Sequence, residues 1–262
     1  DALSITVLGR KQWVRLDGAP TTGTLSVHSP LKNEKINVGL SFSYDEIGST
    51  KNTSVYGDIT YRTKINTKTR LSFGVKGGFD LYSVNYSDLD VFDQDDIIFT
   101  SPIANELLPN FGVGFYLDNR KWFVGLTAPK LLNGIVDNPV LAGNGFKQKV
   151  HYHLMGGYTF KIKSFFDIIP IINVKAAPNS PISTDINVNG LFYDKFWLGI
   201  GWRVGDAITS NVMYEFTERF RIGYAYDRTL SELSSFNSGS HEIMVNYDLN
   251  YTGSGIRTPR KF

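Results

Sequence analysis

The chain has 262 residues, and its 27 basic and 25 acidic side chains leave a net charge of only +2, which gives no argument for a nucleic-acid partner. It has no cysteine, which excludes a disulfide scaffold and thiolate metal sites. No stretch approaches the roughly 18 consecutive apolar residues that a spanning helix needs. The strongest apolar block, residues 168–172, is interrupted by Pro170, so a helical membrane protein is excluded but a membrane-spanning sheet is not.

An aromatic share of 14% beside a hydrophobic share of 42% suits an apolar outside, a wet inside and aromatic belts. The sequence opens without a signal peptide and reads as mature, trimmed or cytoplasmic.

Along the chain the dominant period is two. Turn residues bound about fourteen predicted strands, near 3–13, 20–29, 36–45, 53–62, 69–84, 110–117, 121–129, 149–162, 167–177, 183–193, 196–204, 207–216, 219–229 and 240–251. The first two meet across Asp17-Gly18, a tight-turn signal because glycine accepts positive φ, and Trp13 reads as a strand-end aromatic. In the third, Ile36, Val38, Leu40, Phe42 and Tyr44 oppose Asn37, Gly39, Ser41, Ser43 and Asp45. In the fifth, Leu71, Phe73, Val75, Phe79 and Leu81 oppose Ser72, Gly74, Lys76, Gly78 and Asp80. Residues 102–108 (PIANELL) read as one helical turn inside a loop. Further on, Phe196, Leu198, Ile200, Trp202 and Val204 oppose Trp197, Gly199, Gly201 and Arg203. The last strand sets Ile243, Val245, Tyr247, Leu249 and Tyr251 against Glu242, Met244, Asn246, Asp248 and Asn250. Side chains alternate across a strand, so each segment has one apolar face and one polar or small face.

The connections carry a second signal. Loops after even strands are mostly tight, as at 118–120, 163–166, 193–195 and 217–218, while the long ones, near 85–109, 130–148 and 230–239, follow odd strands. In an up-and-down meander that parity gathers the long loops at one end. Outer-membrane barrels have short periplasmic turns and long extracellular loops, and an even strand count puts both termini on the periplasmic side.

The polar face separates a barrel from a sandwich. It holds glycine at Gly112, Gly114, Gly199 and Gly201, and charges of both signs at Arg203, Glu215, Arg221, Asp227 and Glu242. A sandwich would turn that face to bulk water, whereas a crowded polar lumen pairs such charges. The expected fold is all-β: a single transmembrane outer-membrane β-barrel over residues 1–262, with about fourteen antiparallel strands. In lipid an open edge is not tolerated, so the sheet should close. The five charged residues are the candidates for contact with a plug or partner in the lumen.

Chemistry is sparse. His151 and His153 share a strand face, but no carboxylate at matching spacing completes a metal site, so they read as pore- or rim-facing side chains. The run 88–96 (DLDVFDQDD) offers Asp88, Asp90, Asp93, Asp95 and Asp96, yet lacks the glycine and closing glutamate of an EF-hand. It reads as a solvated extracellular loop, and with Asn105 and Glu106 it is the candidate cargo-facing surface. Ser26 or Ser29 beside His28, and Ser240 beside His241, are the pairings open to a rim-active lipid enzyme; ordinary strand-end residues are the preferred reading. No nucleophile elbow, phosphate loop or zinc-helix motif is present.

Several phrases, in order along the chain, resemble the PorP/SprF family of outer-membrane proteins from the type IX secretion and gliding machinery of Bacteroidetes. Arg10-Lys11-Gln12-Trp13 followed by Gly18-Ala19-Pro20-Thr21 is similar to that family's R-x-Q-W … G-A-P-x-T signature. VGLSFSYDEIG from Val38, PNFGVGFYL from Pro109 and WFVGLTAPKLL from Trp122 resemble later family phrases. Within them Asn110 replaces the usual acid and Lys130 stands where histidine is frequent. The ending TPRKF resembles the family's terminus, and a family segment that usually precedes the first strand is absent from this sequence.

The resemblance implies a non-enzymatic barrel of about fourteen strands, without cofactor, in the bacterial outer membrane. It implies outer-membrane lipids, a secreted cargo with a C-terminal secretion domain (gliding adhesins with a type B domain among them), and a periplasmic lipoprotein or peptidoglycan-associated partner. It supplies no catalytic or ligand residues. A pore for small solutes stays open as the alternative.

Overall fold

The computed structural model describes residues 2–31, 35–84, 103–132, 135–136 and 146–249. Its strands, in chain order, are β1 (Leu3–Lys11), β2 (Thr21–Pro30), β3 (Ile36–Ile47), β4 (Thr50–Lys64), β5 (Arg70–Val84), β6 (Ile103–Asp118) and β7 (Trp122–Ala128). Next comes β8, in two pieces (Tyr152–Tyr158 and Phe160–Lys163), then β9 (Phe166–Ala176), β10 (Ser183–Phe192), β11 (Phe196–Arg203), β12 (Ala207–Thr217), β13 (Phe220–Thr229) and β14 (Ser240–Leu249). Each strand pairs antiparallel with its sequence neighbours, and β1 pairs with β14 from Leu3↔Leu249 to Lys11↔His241. The sheet is therefore a closed fourteen-stranded meander, and closure leaves no row of backbone N–H and C=O groups facing lipid.

The split in β8 has a local cause. The register runs on across it, from Gly157↔Ile171 to Phe160↔Ile168, so the gap lies opposite Ile169–Pro170. Proline offers no ladder N–H there.

Exposure alternates in the sense a membrane barrel requires. On β11, Ile200 is 63% and Leu198 54% exposed on the outer face, while Trp197, next to Leu198, is 5% exposed in the lumen. At the end with the tight turns, outward aromatic rings form an arc. Phe166 stacks on Phe192 at 4.6 Å, and Tyr214, Phe216, Phe220 and Tyr247 continue it across β12, β13 and β14. Amphipathic and aromatic rings concentrate at membrane–water interfaces, which places this row at one boundary of the apolar band.

Two sequence expectations need correction. Residues 103–108 are not a helical turn: they open β6, with Leu107 facing out and Leu108 facing in. Trp13 is not on a strand, because β1 stops at Lys11. It lies in a loop closed by Gln12 N–H donating to Pro20 O at 2.9 Å, with φ of 42° at Trp13, 80° at Arg15 and 69° at Gly18. Among other aromatic residues near the predicted strand ends, Trp122, Tyr44 and Tyr226 lie on strands and Tyr251 falls outside the described residues.

No helix among the described residues is long and apolar enough to cross a membrane. One 3-10 turn, Glu232–Ser235, sits in the β13–β14 connection, and a two-residue ladder pairs Ile135–Val136 with Phe146–Lys147 between β7 and β8.

Candidate functional site

The lumen is organised by charge. Alternation turns Arg10 of β1, Lys175 of β9, Asp185 of β10, Arg203 of β11, Asp227 of β13 and Glu242 of β14 inward near the end that carries the long loops. Register does the rest, because Arg203 opposes Asp185 and Arg10 opposes Glu242. Lys175 lies 3.1 Å from Asp185, and Arg203 lies 2.8 Å from Asp185, 3.3 Å from Asp206 and 3.7 Å from Asp227. Arg10 then reaches Asp227 at 2.8 Å and Glu242 at 3.1 Å. The result is an unbroken ionic chain around half of the mouth, from β9 to β1. Charge-assisted bonds of this kind fix geometry as well as energy.

Across the mouth a second cluster centres on Asp80 of β5, which is 0% exposed. Its carboxylate accepts from Ser54 Oγ (2.5 Å), Tyr56 Oη (3.0 Å), Lys130 Nζ (2.8 Å) and Gln148 Nε2 (3.2 Å). The Lys76 ammonium stands 4.2 Å from the centre of the Tyr56 ring. Beside it, Asn110 Oδ1 accepts from the backbone of Leu131 and Leu132, both at 3.0 Å, and Asn110 Nδ2 donates to Gln148 Oε1 at 2.9 Å. Lys130–Leu132 leave β7 and Gln148 leads towards β8. Both stems of the β7–β8 connection are therefore tied inside the barrel, against the wall formed by β4, β5 and β6.

A third set lies near the tight turns. Arg221 of β13 binds Asp248 and donates to Asn246 Oδ1 at 3.1 Å. Asn246 Nδ2 donates in turn to Ser4 Oγ and Thr6 Oγ1, both at 2.9 Å, which stitches the β14–β1 seam. Glu215 is buried opposite Arg221, and Arg70 grips Asp118 through two nitrogens at 3.1 and 2.8 Å. Between the polar sets, Ile169, Leu191 and Trp197 bury one another in the lumen, with Ile171 and Met213 against them. The lumen is thus partly apolar as well as polar. Small inward residues make room for the polar ones: a Cβ on Gly199 or Gly201 would collide with the amides of Asn189, Asn211 or Asn187.

All five charged residues expected in the lumen face inward. They do not form one group: Arg203, Asp227 and Glu242 share the ionic chain at the mouth, while Glu215 and Arg221 lie at the opposite end. Of the expected cargo-facing set, Asp88, Asp90, Asp93, Asp95 and Asp96 fall outside the described residues. Asn105 and Glu106 are on β6 rather than in a loop, and Glu106 opposes Tyr82. Ser240 and His241 point to opposite sides of β14: Ser240 Oγ accepts from the Trp13 N–H, whereas His241 Nδ1 meets the Tyr224 hydroxyl at 2.7 Å. No group of three His, Asp or Glu side chains among the described residues is placed to share a metal ion, and His151 Nδ1 is 2.9 Å from the Lys149 carbonyl.

Sequence reasoning missed Arg10 as a member of the ionic chain, and Asp80, Asn110, Lys130 and Gln148 as a structural set. Parity placed Asp80 on the polar face, but nothing local signals that Lys130 and Gln148 converge on it from 50 and 68 residues away.

A family model described as type IX secretion system membrane protein PorP/SprF matches residues 1–247. The chain belongs to the PorP/SprF family. It is a barrel of the bacterial outer membrane, in a family that consists of secretion-system membrane proteins rather than enzymes.

No curated protein matches the sequence. Among solved structures, this PorP/SprF barrel is similar to outer membrane protein Omp33 of Acinetobacter baumannii, with 9% identity and a TM-score of 0.52, over 95% of this chain and 99% of that one. It is similar also to a TodX deltaS2S3 mutant monoaromatic hydrocarbon channel, with 10% identity and a TM-score of 0.50, over 95% and 90%. Outer membrane phospholipase A from Escherichia coli aligns with 13% identity and a TM-score of 0.43, over 94% and 90%. At such identities the first two establish the barrel fold alone, and the third carries no argument about chemistry.

Proposed function

We propose that this PorP/SprF barrel docks a secreted protein at the cell surface, with the long-loop end facing outward and both termini on the periplasmic side. The cargo class is a protein with a C-terminal secretion domain, of which gliding adhesins with a type B domain are the expected members. The observation that carries the reading is the asymmetry of the two ends. The connections following β5, β7 and β13 are long, and they rise from a rim held by the Lys175–Asp185–Arg203–Asp227–Arg10–Glu242 chain on one side and the Asp80 cluster on the other. Long loops on a rigid scaffold are where binding usually resides. The acidic stretch 88–96, with Glu106 at the strand end beside it, is the cargo-facing candidate. A periplasmic lipoprotein or peptidoglycan-associated partner would meet the tight turns.

Replacing residues 86–101 with a short Gly/Ser linker tests this. The barrel should still fold, as read by heat-modifiable gel mobility, while one cargo disappears from the cell surface. Unchanged display would remove the docking role from this loop.

A solute channel is the second reading. It is favoured by the width that fourteen strands enclose, and the similar TodX barrel is a monoaromatic hydrocarbon channel. Steady single-channel conductance from purified protein in a planar bilayer supports it, and silence supports a filled lumen.

A further inference from the structure

We propose that the outer face of β13, β14 and β1, at the long-loop end, binds the phosphorylated headgroup of a membrane glycolipid through Lys11, His241 and Arg228. The inference begins with a contrast among the cations. The inward arginines Arg10, Arg70, Arg203 and Arg221 each meet a carboxylate. On the outer face, the cations Lys11 and Arg228 meet none among the described residues; Lys11 donates only to Thr21 Oγ1 at 2.8 Å, and the His241 ring between them contacts the Tyr224 hydroxyl as a polar partner.

The three stand together. Lys11 opposes His241 across the β1–β14 ladder, and His241 opposes Tyr226 across β14–β13 with the rings 5.2 Å apart. Arg228 lies two residues beyond Tyr226 on the same face. Directly opposed side chains are roughly 5 Å apart at Cβ and diagonal ones about 7–8 Å, so one diphosphate-sized headgroup can span all three. Glu46, an outward acid of β3 along the rim, is occupied by Lys51 and the Tyr44 hydroxyl.

Position selects the ligand. Below these cations on the same strands, the outward residues are Val7, Ile222, Tyr224, Ile243 and Tyr247, all well exposed and apolar or aromatic. The cations therefore sit where an apolar band ends, at headgroup depth, and an outward cation is tolerated best near an interface. Uncompensated positive charge at that depth faces lipid phosphates. Arg228 also borders a cavity of about 350 Å³ lined by Thr229, Ser234, Ser235 and Asn237, among others. Hydroxyl and amide groups beside a cation suit a sugar that carries phosphate. The cavity is braced by the Tyr226 hydroxyl donating to Ser238 O at 2.9 Å and by the Val14–Gly239 and Ser238–Val14 backbone bonds.

The test uses the full chain in detergent, with a bis-phosphorylated acylated glucosamine disaccharide as probe and native mass spectrometry as readout. The inference expects a retained 1:1 complex, weakened about tenfold or more in the Lys11→Ala/Arg228→Ala double variant. Lys195→Ala/Arg219→Ala, at the other end, should bind as the parent does. Arg228→Gln alone keeps the test available if the double variant does not fold. Equal retention by parent and variants overturns the inference, as does equal retention of the dephosphorylated lipid. Displacement by inorganic phosphate at the lipid's own concentration would mean a free-anion site and would equally overturn the lipid assignment.

Discussion

Lys130, in the segment that leaves β7, places its ammonium 2.8 Å from the carboxylate of Asp80 on β5, and that carboxylate has no exposure to solvent. Ser54, Tyr56 and Gln148 complete its coordination, so one aspartate ties two strands and both stems of the β7–β8 connection. The mouth is therefore cross-linked from within and does not rely on the sheet alone.

Removing one partner should cost more than removing both. Asp80→Asn strands the Lys130 ammonium against a neutral amide, and breaking a buried pair costs about 3–5 kcal/mol, reduced towards roughly 2 here because Lys130 is partly exposed. Asp80→Asn/Lys130→Met should recover part of that loss. Urea titration of the folded, heat-modifiable form measures both. Strict additivity in the double variant would mean that the two side chains are not coupled.

Gly112 lies under the same stem. A Cβ there would run into the carbonyl of Pro129, which is backbone and cannot swing aside. Gly112→Ala should cost about 1–3 kcal/mol through overpacking. By contrast, a Cβ on Gly9 meets nothing within 4 Å, so Gly9→Ala should be neutral or slightly stabilising. Thermal melting of the two variants side by side separates these outcomes.

Charge placed on the outer face tests which side meets lipid. Ile200 is 63% exposed at the middle of β11, and Ile200→Lys should destabilise the barrel by about 2–4 kcal/mol in liposomes. The same change measured in aqueous detergent should cost less. Equal losses in both media would argue against a lipid-facing Ile200.

The β1–β14 seam depends on Asn246, which donates to Ser4, Thr6 and the Ile5 carbonyl. Asn246→Ala should remove about 1–3 kcal/mol. Hydrogen exchange should then rise in residues 4–7 before it rises in β10 or β11. A uniform increase around the barrel would show that the seam is no weaker than the rest.

Much of this architecture is legible in the sequence because a barrel strand repeats one rule. The Phe196–Arg203 alternation survives intact, with Trp197, Gly199 and Gly201 inward and Leu198, Ile200 and Trp202 outward. The parity of the connections survives too. What failed did so for physical reasons. Leu107 and Leu108 are both apolar although one faces lipid and the other the lumen, so the alternation disappears at the start of β6. Trp13 follows an alternating strand without joining it, because its backbone turns into the left-handed region. The Asp80 cluster is built from five segments of the chain, and only the closed barrel brings them together. The apolar lumen set around Ile169 was likewise invisible, since Ile169 stands in a run where both faces are hydrophobic.

The central claim, that this PorP/SprF barrel holds a secreted cargo, is tested most directly by native affinity purification from outer membranes followed by mass spectrometry of what co-purifies. The account predicts a near-stoichiometric secreted protein carrying a C-terminal secretion domain, absent when residues 86–101 are replaced by a linker. A barrel that purifies alone and conducts ions steadily in a planar bilayer would contradict it.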